Sequence, residues 1–553
     1  MKVLHPLCLA ALALLAITPG RPVAQQRQEQ PRLVVLLVVD QMRRDYIDDY
    51  GMHWKKGLRR IVDEGAWFTN AAYPYTTTLT CAGHATISTG TLPSTHGIIS
   101  NQWWDRATQQ VVSCTGDSSA REVPYGRREA GSGGSARALA VPTLATALAS
   151  SSGGGGRVVS ISLKRAAAAM LAGQGRGAAV LWFQGGGWSS STAWGTSPER
   201  SLLRTANSNP IGDDFGRVWT RSARQSVYKF EDDGLGEKPP SEWTAQFPHA
   251  LQPRDGRPTM FFYEAWQASP YSDEHLARLA SSAIDGMKLG RGAGIDYLAV
   301  SFSALDVTGH DFGPRSHEVQ DVLLRLDDTV GRLLDQLDKR VGRGKYVAAF
   351  TADHGVAVIP EQAARDGADA GRIKMNEIMA LADATLSAKF GRGRWAATEA
   401  YSEFYFRAGI FDKLAADAEL LAQVKAAIAA LPGVARVYDR GEVPGLAKSA
   451  DPLARAVAAG FYPERSGDLL IIPKENWIFV SDDKTVIPGN ATTHGSGYEY
   501  DTAVPLVLFG AGIKTGQHTA AVSPADIAPT LAKIAGVPLP TATGRVLEEA
   551  LAK

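Results

Sequence analysis

The chain has few cysteines and almost no net charge. Only three of its 553 residues are cysteine, which excludes a scaffold held together by many disulfides. Lysine and arginine number 58, and aspartate and glutamate number 57, so the net charge is only +1. Because nucleic acids and acidic membranes attract strongly basic surfaces, we expect neither as a partner.

Long apolar runs are also scarce. The most apolar stretch, residues 7–17, follows the positively charged Lys2 and is too short to span a bilayer as a helix. Small residues follow this stretch and end near Ala24. The pattern predicts a cleaved signal peptide over residues 1–24, and therefore a periplasmic or secreted protein without a membrane span.

Removing the signal leaves two cysteines, Cys81 and Cys114. In an oxidising compartment they can form a disulfide, and otherwise they would be two free buried thiols. A disulfide would close a loop that begins beside Thr80 and would help to fix that residue. The sequence leaves both alternatives open.

Apolar, β-branched runs separated by helical patterns predict an α/β fold. Five runs are typical of buried parallel strands: RLVVLLVVD, GRVVSISLK, DYLAVSFSALD, KYVAAFTADH and VPLVLFG. Apolar residues at helical spacing over 319–337 predict a long amphipathic helix. Strands that alternate with helices imply a mostly parallel central sheet covered by helices on both faces.

The predicted sheet is assembled from three separate segments of the chain. We expect the core at residues 32–185, 291–360 and 490–553. Residues 186–290, rich in Trp, Ser, Gly and Pro, are interpreted as a cap-like insertion. Residues 361–489 carry mixed strand and helix signals and are interpreted as a second, α+β insertion.

Charged and metal-binding side chains follow the predicted strands. The residues concerned, each at or near a predicted strand end, are Asp40, Asp306, His310, Asp353, His354 and His494. Each alone is weak evidence, because an aspartate at a strand end often caps the following helix. Together they predict one site, because ligands bind at the carboxyl edge of parallel sheets.

Three histidines and three aspartates suffice to bind two divalent cations. Their imidazole content favours Zn²⁺ over Mg²⁺ or Ca²⁺, which prefer oxygen ligands. Two cations about 4 Å apart can clamp the attacking and leaving oxygens of a phosphoryl transfer. Thr80, in TTTLTCAGHATISTG, is the candidate nucleophile, because residues 82–89 after it are typical of a helix start, where backbone amides favour an anion.

In combination, these motifs resemble the alkaline phosphatase superfamily. The similarity is strongest to the PafA-type (phosphate-irrepressible) alkaline phosphatases, which use a threonine nucleophile and are related to type I phosphodiesterase/nucleotide pyrophosphatases. The similarity covers most of the chain, from VVDQMRRD to DIAPTLAKIAG. The motifs that carry it are TCAGHATISTG, GIISNQWWD, SLK, LDVTGHDFGP, TADHG, FYPERSGDLLIIP and HGSGYEYD.

The resemblance implies an alkaline phosphatase-like fold and a role for each site residue. The first of two Zn²⁺ ions would be bound by Asp306, His310 and His494, and the second by Asp40, Thr80, Asp353 and His354. Thr80 would attack phosphorus and form a phosphothreonine intermediate. Asn101 would hydrogen-bond one nonbridging oxygen, and Lys164 would contact another. We further expect a small phosphate ester as substrate and a monomeric enzyme.

One stretch departs from the family pattern. Monoesterase members typically read Lys-x-Arg, with both side chains on the phosphate, whereas this chain has Ala166 at the arginine position and Arg165 one place earlier. Because consecutive residues of an extended segment point to opposite sides, we expect Arg165 to miss the pocket unless the backbone shifts. A bidentate arginine favours the doubly charged monoester, so its loss would weaken the preference for monoesters.

The sequence therefore predicts an exported, zinc-dependent phosphoric ester hydrolase. A phosphomonoesterase is the first alternative, and a phosphodiesterase or nucleotide pyrophosphatase is the second. A sulfatase is disfavoured because the residues after Cys81 lack the x-Pro-x-Arg pattern. A non-catalytic metal- or glycan-binding protein of the same fold is disfavoured because all seven metal-site positions are present. We expect His84 to be a structural histidine near the helix start.

Overall fold

The computed structural model describes residues 30–126, 131–151, 155–253, 259–481 and 490–552. The signal peptide expected over residues 1–24 lies outside the described residues. The strands are β1 (Leu33–Val39), β2 (Ala66–Phe68), β3 (Gln102–Asp105), β4 (Gln110–Ser113), β5 (Gly116–Tyr125), β6 (Ser132–Gly134), β7 (Val158–Ser162), β8 (Ala179–Gln184), β9 (Gly187–Ser191), β10 (Val218–Trp219), β11 (His249–Ala250), β12 (Asp296–Phe302), β13 (Tyr346–Thr351), β14 (Gly371–Lys374), β15 (Ala396–Ala400), β16 (Glu403–Phe406), β17 (Val434–Asp439), β18 (Leu469–Pro473), β19 (Trp477–Val480), β20 (Leu506–Gly510) and β21 (Gly516–His518).

The α-helices of the described residues lie mainly between these strands. They are α1 (Tyr46–Tyr50), α2 (Gly57–Glu64), α3 (Thr80–Thr89), α4 (Pro93–His96), α5 (Leu144–Ser151), α6 (Arg165–Ala172), α7 (Arg200–Ser208), α8 (Met260–Gln267), α9 (Pro270–Gly286), α10 (Ala304–Phe312), α11 (His317–Leu337), α12 (Pro360–Arg365), α13 (Met375–Phe390), α14 (Ile410–Ala415), α15 (Ala418–Ala429), α16 (Val443–Leu446), α17 (Pro452–Gly460), α18 (Glu499–Thr502) and α19 (Ile527–Ala535). None of these described helices is both long and apolar enough to cross a membrane.

Five neighbouring strands form the parallel centre of the large sheet, in the order β13-β1-β12-β7-β8. Every residue of β1 is buried. Leu33 and Leu37 pack into the core on one face of the sheet, whereas Val34 and Leu36 pack into the core on the other. This alternation follows because successive side chains of a strand point to opposite faces. The predicted mostly parallel α/β sheet with helices on both faces is thus confirmed.

The flanks of the large sheet are largely antiparallel. On one side β20 runs antiparallel to both β13 and β2, and on the other β9 runs antiparallel to both β8 and β5. The prediction that VPLVLFG forms a parallel strand is therefore wrong, because these residues lie in and around β20. Four of the five residues of β20 are buried, and burial on both faces gives the same apolar run whichever way a strand points.

Helices cover both faces of the large sheet. Helix α11 contains the apolar stripe predicted over 319–337, and its apolar residues are buried in the core on one face. Helices α2 and α9 pack against α11 on that face. Helices α3, α5 and α19 contribute side chains to the core on the opposite face.

The two expected insertions relate differently to the large sheet. Within residues 361–489, strands β15, β16, β18 and β17 form a separate four-stranded sheet with a core of its own. Within residues 186–290, β9 belongs to the large sheet and α9 packs against β12, while β10 and β11 pair only with each other. The division into core segments 32–185, 291–360 and 490–553 stays a prediction.

Candidate active site

The carboxyl ends of parallel strands bring the predicted acidic ligands together. Asp40 directly follows β1, and Asp353 follows β13, which neighbours β1 in the sheet. Asp306 does not end β12, as the sequence suggested, because helix α10 begins after a single intervening residue and Asp306 lies in its first turn. The helix places His310, four residues later, on the same face as Asp306.

A buried carboxylate from α9 fixes the start of α10. Oδ1 of Asp273 accepts hydrogen bonds from the backbone N–H groups of Ser303 and Ala304, at 3.0 Å and 3.2 Å. Burial raises the pKa of Asp273 to about 7. Helix α9 thereby sets the point at which α10 begins, and with it the direction in which Asp306 and His310 project.

The three predicted ligands of the first cation form one cluster. The Nε2 atoms of His310 and His494 lie 3.4 Å and 3.8 Å from Oδ1 of Asp306. One ligand atom from each residue lies within 4.8 Å of the others, a spacing that could hold a metal ion. The His494 ring is stacked on the His354 ring with centroids 3.5 Å apart, which joins this cluster to the second.

Asp40, Asp353 and His354 form the second cluster. Nε2 of His354 lies 3.3 Å from Oδ2 of Asp353 and 3.5 Å from Oδ1 of Asp40. Within the described part of the chain, Oδ1 of Asp40 and Nε2 of His354 are buried and have no hydrogen-bond partner. Such atoms are costly to bury alone. A cation bound among them would remove that cost, so the residues fit the predicted metal site.

Backbone carbonyls orient all three histidines. In each ring, Nδ1 lies 2.8–3.0 Å from a carbonyl oxygen and can donate its proton there. The pairs are His310 with Thr492 (2.9 Å), His354 with Gly355 (3.0 Å) and His494 with Thr78 (2.8 Å). In the neutral ring the Nε2 lone pair is then free for a cation, which is the tautomer that metal-ligating histidines use.

Thr80 is the first residue of α3, so the helix begins two residues earlier than the sequence suggested. The N–H of the next residue, Cys81, donates to Oδ1 of Asn101 at 2.9 Å, which leaves Nδ2 of Asn101 as the donor. Cys81 forms a disulfide with Cys114, whose N–H donates to the Asn101 carbonyl at 2.9 Å. Of the two cysteine alternatives, the disulfide is therefore the one present, and it ties Asn101 to the helix of Thr80.

One cavity of about 390 Å³ is lined by the first cluster and by Thr80, whereas Asp40, Asp353 and His354 are not part of its lining. Its lining includes the predicted site residues Thr80, Asn101, Lys164, Asp306, His310 and His494. Larger cavities of about 490 and 610 Å³ lie elsewhere and contain none of the predicted site residues. The place where a substrate could meet Thr80 is thus this cavity of about 390 Å³.

Lys164 bridges the two clusters. Its Nζ lies 2.8 Å from Oδ2 of Asp40 and 2.5 Å from Oδ2 of Asp306. Burial alone would lower the pKa of this ammonium group, but attraction to Asp306 and Asp40 raises it above its usual range. Burial likewise acts to raise the pKa of Asp306, yet Lys164 and His310 hold it well below its usual range. The site therefore keeps both charges.

Arg165 is not in extended backbone, although the prediction from the sequence assumed that it is. Lys164 is extended, but Arg165 is the first residue of α6, so side-chain alternation ends between them. Arg165 and Ala166 both line the cavity, and the expectation that Arg165 misses it does not hold. The Arg165 side chain is half-buried, and among the described residues it makes no hydrogen bond or ion pair. Burial accordingly lowers the pKa of Arg165.

The sequence analysis missed Gln41, which contacts both clusters. Its N–H donates to Oδ1 of Asp353 at 3.1 Å, and its side-chain amide donates to Oδ1 of Asp306 at 3.0 Å. Its φ of 69° is left-handed, which is uncommon for a residue other than glycine. In the sequence, only the position of Gln41 directly after Asp40 could have indicated that it belongs to the site. That position does not predict its left-handed backbone.

His84, which we expect to be structural, is buried and also contacts Asp353, one of the predicted ligands. Its Nδ1 lies 2.8 Å from the Thr80 carbonyl oxygen and 3.2 Å from Oδ2 of Asp353, and its Nε2 lies 2.9 Å from the Ser301 hydroxyl. Atoms of Asp40, His84 and Asp353 are also close enough to share a cation. Because both ring nitrogens already have partners, we interpret His84 as a residue that orients Asp353.

Known proteins share this sequence and architecture. The family model of type I phosphodiesterase / nucleotide pyrophosphatase matches residues 34–497. A Myroides odoratus protein named calcium-transporting ATPase is 31% identical over 545 residues, which cover 96% of both chains. Alkaline phosphatase PafA of Elizabethkingia meningoseptica is 30% identical over 544 residues, which cover 95% of both chains. A crystal structure of wild-type alkaline phosphatase PafA matches with a TM-score of 0.84 and 28% identity, covering 95% of this chain and 99% of that one.

These matches confirm the resemblance drawn from the motifs, the alkaline phosphatase-like fold and the prediction of an enzyme. They favour an enzyme over a non-catalytic binding protein of the same fold. The roles of individual residues stay predictions, supported by the geometry described above. The chain belongs to the type I phosphodiesterase / nucleotide pyrophosphatase family and is a phosphoric ester hydrolase of the PafA type within the alkaline phosphatase superfamily.

Proposed function

We propose that the chain is an exported phosphomonoesterase that holds two Zn²⁺ ions and acts through a phosphothreonine at Thr80. The observation that carries the proposal is one cavity lined both by Thr80, the first residue of a helix, and by the Asp306, His310 and His494 cluster. The second cluster adjoins it through Lys164 and the stacked rings of His354 and His494. We further propose that the enzyme is a monomer and that its signal is cleaved near Ala24.

The donor atoms favour zinc. Asp306, His310 and His494 would hold one ion, and Asp40, Asp353, His354 and the Thr80 oxygen the other. Mixed imidazole and carboxylate sets suit Zn²⁺, whereas Mg²⁺ and Ca²⁺ prefer oxygen alone. When bound, two such ions supply Lewis-acid stabilisation to the attacking and leaving oxygens of the phosphoryl transfer.

The chain's own groups then perform the displacement. The Thr80 hydroxyl releases its proton to solvent, Oγ1 bonds to phosphorus, and the bond from phosphorus to the leaving oxygen breaks as that oxygen takes up a proton from solvent. Water next attacks the phosphothreonine, which releases inorganic phosphate and restores the hydroxyl. Asn101 can donate through Nδ2 to a nonbridging oxygen, and the Lys164 ammonium adds positive charge where the transferred group is most negative.

A phosphodiesterase or nucleotide pyrophosphatase is the second candidate. The observation that favours it is Ala166, which supplies no charge at the position where monoesterases of this type carry arginine. Arg165 lines the same cavity from the neighbouring position and has no partner among the described residues, which supports the monoesterase. The two candidates differ in whether the phosphate subsite prefers two negative charges or one.

The two candidates are separated by two esters with the same leaving group, p-nitrophenyl phosphate and methyl p-nitrophenyl phosphate. We expect the zinc-loaded protein to have the higher kcat/KM on the monoester, and a higher kcat/KM on the diester would instead establish the second candidate. Hydrolysis of neither ester by protein that contains two Zn²⁺ per chain would reject both. Acid quenching with labelled monoester should trap label on protein, and Thr80→Ala should abolish the trapped label.

A further inference from the structure

Tyr401 has a backbone conformation that a bulky residue rarely adopts. It lies in the two-residue connection between β15 and β16, and its φ is 56°. Left-handed backbone costs a residue with a Cβ atom roughly 1 kcal/mol or more, and such residues cluster at functional sites. Glycine or asparagine is the usual choice for such a turn. A tyrosine that persists there suggests a use for its side chain.

The surrounding backbone prevents the turn from relaxing. Ala400 pairs with Glu403 across the hairpin. The carbonyl of Ser402 accepts a hydrogen bond from the N–H of Ile471 at 2.8 Å, which joins the turn to β18. Ser402 is only 4% exposed. The turn is therefore held on both sides of Tyr401, and the side chain is carried to a fixed place.

That place is the wall of the active-site cavity. Tyr401 lines the cavity together with Thr80, Asp306 and His494. A Cβ atom built on Gly495, the residue after His494, would lie 3.7 Å from Cδ1 of Tyr401, so the ring lies beside the first cluster. Burial raises the pKa of the Tyr401 hydroxyl to about 12, so the side chain is neutral. Among the described residues this hydroxyl has no hydrogen-bond partner.

We propose that the Tyr401 ring is the wall against which the leaving group of the substrate packs, so that Tyr401 favours esters with flat, apolar leaving groups. The inference rests on the proposed function, in which the Thr80 oxygen binds the second ion, so that the first ion, at Asp306, His310 and His494, is the one that faces the leaving oxygen. An apolar ring beside that cluster contacts the part of the ester that departs, whereas Asn101 and Lys164 contact the phosphoryl oxygens. Aromatic contacts are directional and exceed the gain from buried area alone.

The test compares phenyl phosphate with ethyl phosphate in each variant, because the ratio of their kcat/KM values cancels effects on the phosphoryl group. We expect Tyr401→Ala to lower the phenyl-to-ethyl ratio by roughly 3- to 10-fold, the range that an aromatic contact gives. Tyr401→Phe, which keeps the ring, should keep the ratio. Tyr438→Ala removes a half-buried tyrosine of the separate four-stranded sheet, away from the cavity lining, and should also leave the ratio unchanged.

A second variant separates the ring from the strained backbone. Tyr401→Gly also removes the ring but suits the left-handed turn, so it should lower the ratio as Tyr401→Ala does while unfolding at a higher temperature than Tyr401→Ala. An unchanged ratio in Tyr401→Gly, or equal losses on both esters, would overturn the assignment. Failure of the unaltered, zinc-loaded protein to hydrolyse either ester would instead reject the proposed function and remove the basis of this inference.

Discussion

Replacing Arg165 tests whether its positive charge sets the preference of the phosphate subsite for monoesters over diesters. Replacing Arg165 by methionine keeps most of the side-chain length and removes the positive charge. Because no described residue neutralises the Arg165 guanidinium, its charge is available to a ligand in the cavity. A monoester dianion carries one more negative charge than a diester, so loss of the arginine should weaken monoester hydrolysis more than diester hydrolysis.

The size of this effect follows from the structure. A hydrogen bond between charged groups contributes about 1.5 to 3 kcal/mol, or roughly 10- to 150-fold in rate. The Arg165 side chain is only half-buried, so solvent screening places the effect at the lower end. We therefore expect Arg165→Met to lower the ratio of monoester to diester kcat/KM by about 10-fold, measured with the two p-nitrophenyl esters.

The matched control is Arg176→Met, which removes an exposed arginine just beyond the end of α6 and outside the cavity lining. This variant should leave the ratio unchanged. In the opposite direction, Arg165→Asp combined with Ala166→Arg restores the Lys-x-Arg spacing and should raise the ratio. If Arg165→Met lowered both activities equally, or changed neither, the reasoning that Arg165 contacts the phosphoryl group would be refuted.

Three further predictions concern the nucleophile, the disulfide and the helix that carries Asp306. Thr80→Ala should lower kcat by several orders of magnitude, while Thr80→Ser, which keeps a hydroxyl, should retain measurable turnover; comparable activity in both would exclude Thr80 as nucleophile. Removing the disulfide with Cys81→Ala and Cys114→Ala should destabilise the protein by roughly 3–4 kcal/mol, because the bond joins residues 33 apart in the sequence, and urea unfolding measures this loss. Because burial raises the pKa of Asp273 from 3.8 to about 7, the folded state holds a proton there that the unfolded state has lost, so the contribution of this carboxyl to stability falls as pH rises from about 4 to 7. Asp273→Asn should remove that dependence, and an unchanged pH profile of the unfolding temperature would show that the carboxyl is ionised throughout.

The sequence predicts the parts of the site that depend on sheet topology. Asp40 and Asp353 follow buried apolar strands, and adjacent parallel strands bring such residues together whatever the rest of the chain does. The direction of β20 could not be predicted, because an apolar run carries no information on polarity. The direction of the Arg165 side chain depends on where α6 begins. Side chains alternate only along extended backbone, so an error of one residue in a predicted helix start puts the side chain on the wrong side.

Two further residues of the site could not be predicted from the sequence, for a different reason. Gln41 and Tyr401 act through left-handed backbone, which tertiary contacts impose against the preference of the residue itself. Tyr401 also lies more than 230 residues from Lys164, in a separate sheet, and no periodicity links the two positions. Residues of this kind can be identified as part of the site only from the folded structure.

The backbone carbonyls that orient the three imidazole rings determine which mutations this site tolerates. Every amino acid supplies a carbonyl, so replacing the side chain at Thr78 or Thr492 does not by itself delete the acceptor. A deletion, or a proline that redirects the main chain, would rotate an imidazole without touching a single residue of the motifs. Aligned sequences would show such a protein as intact, although its histidines no longer point the same way.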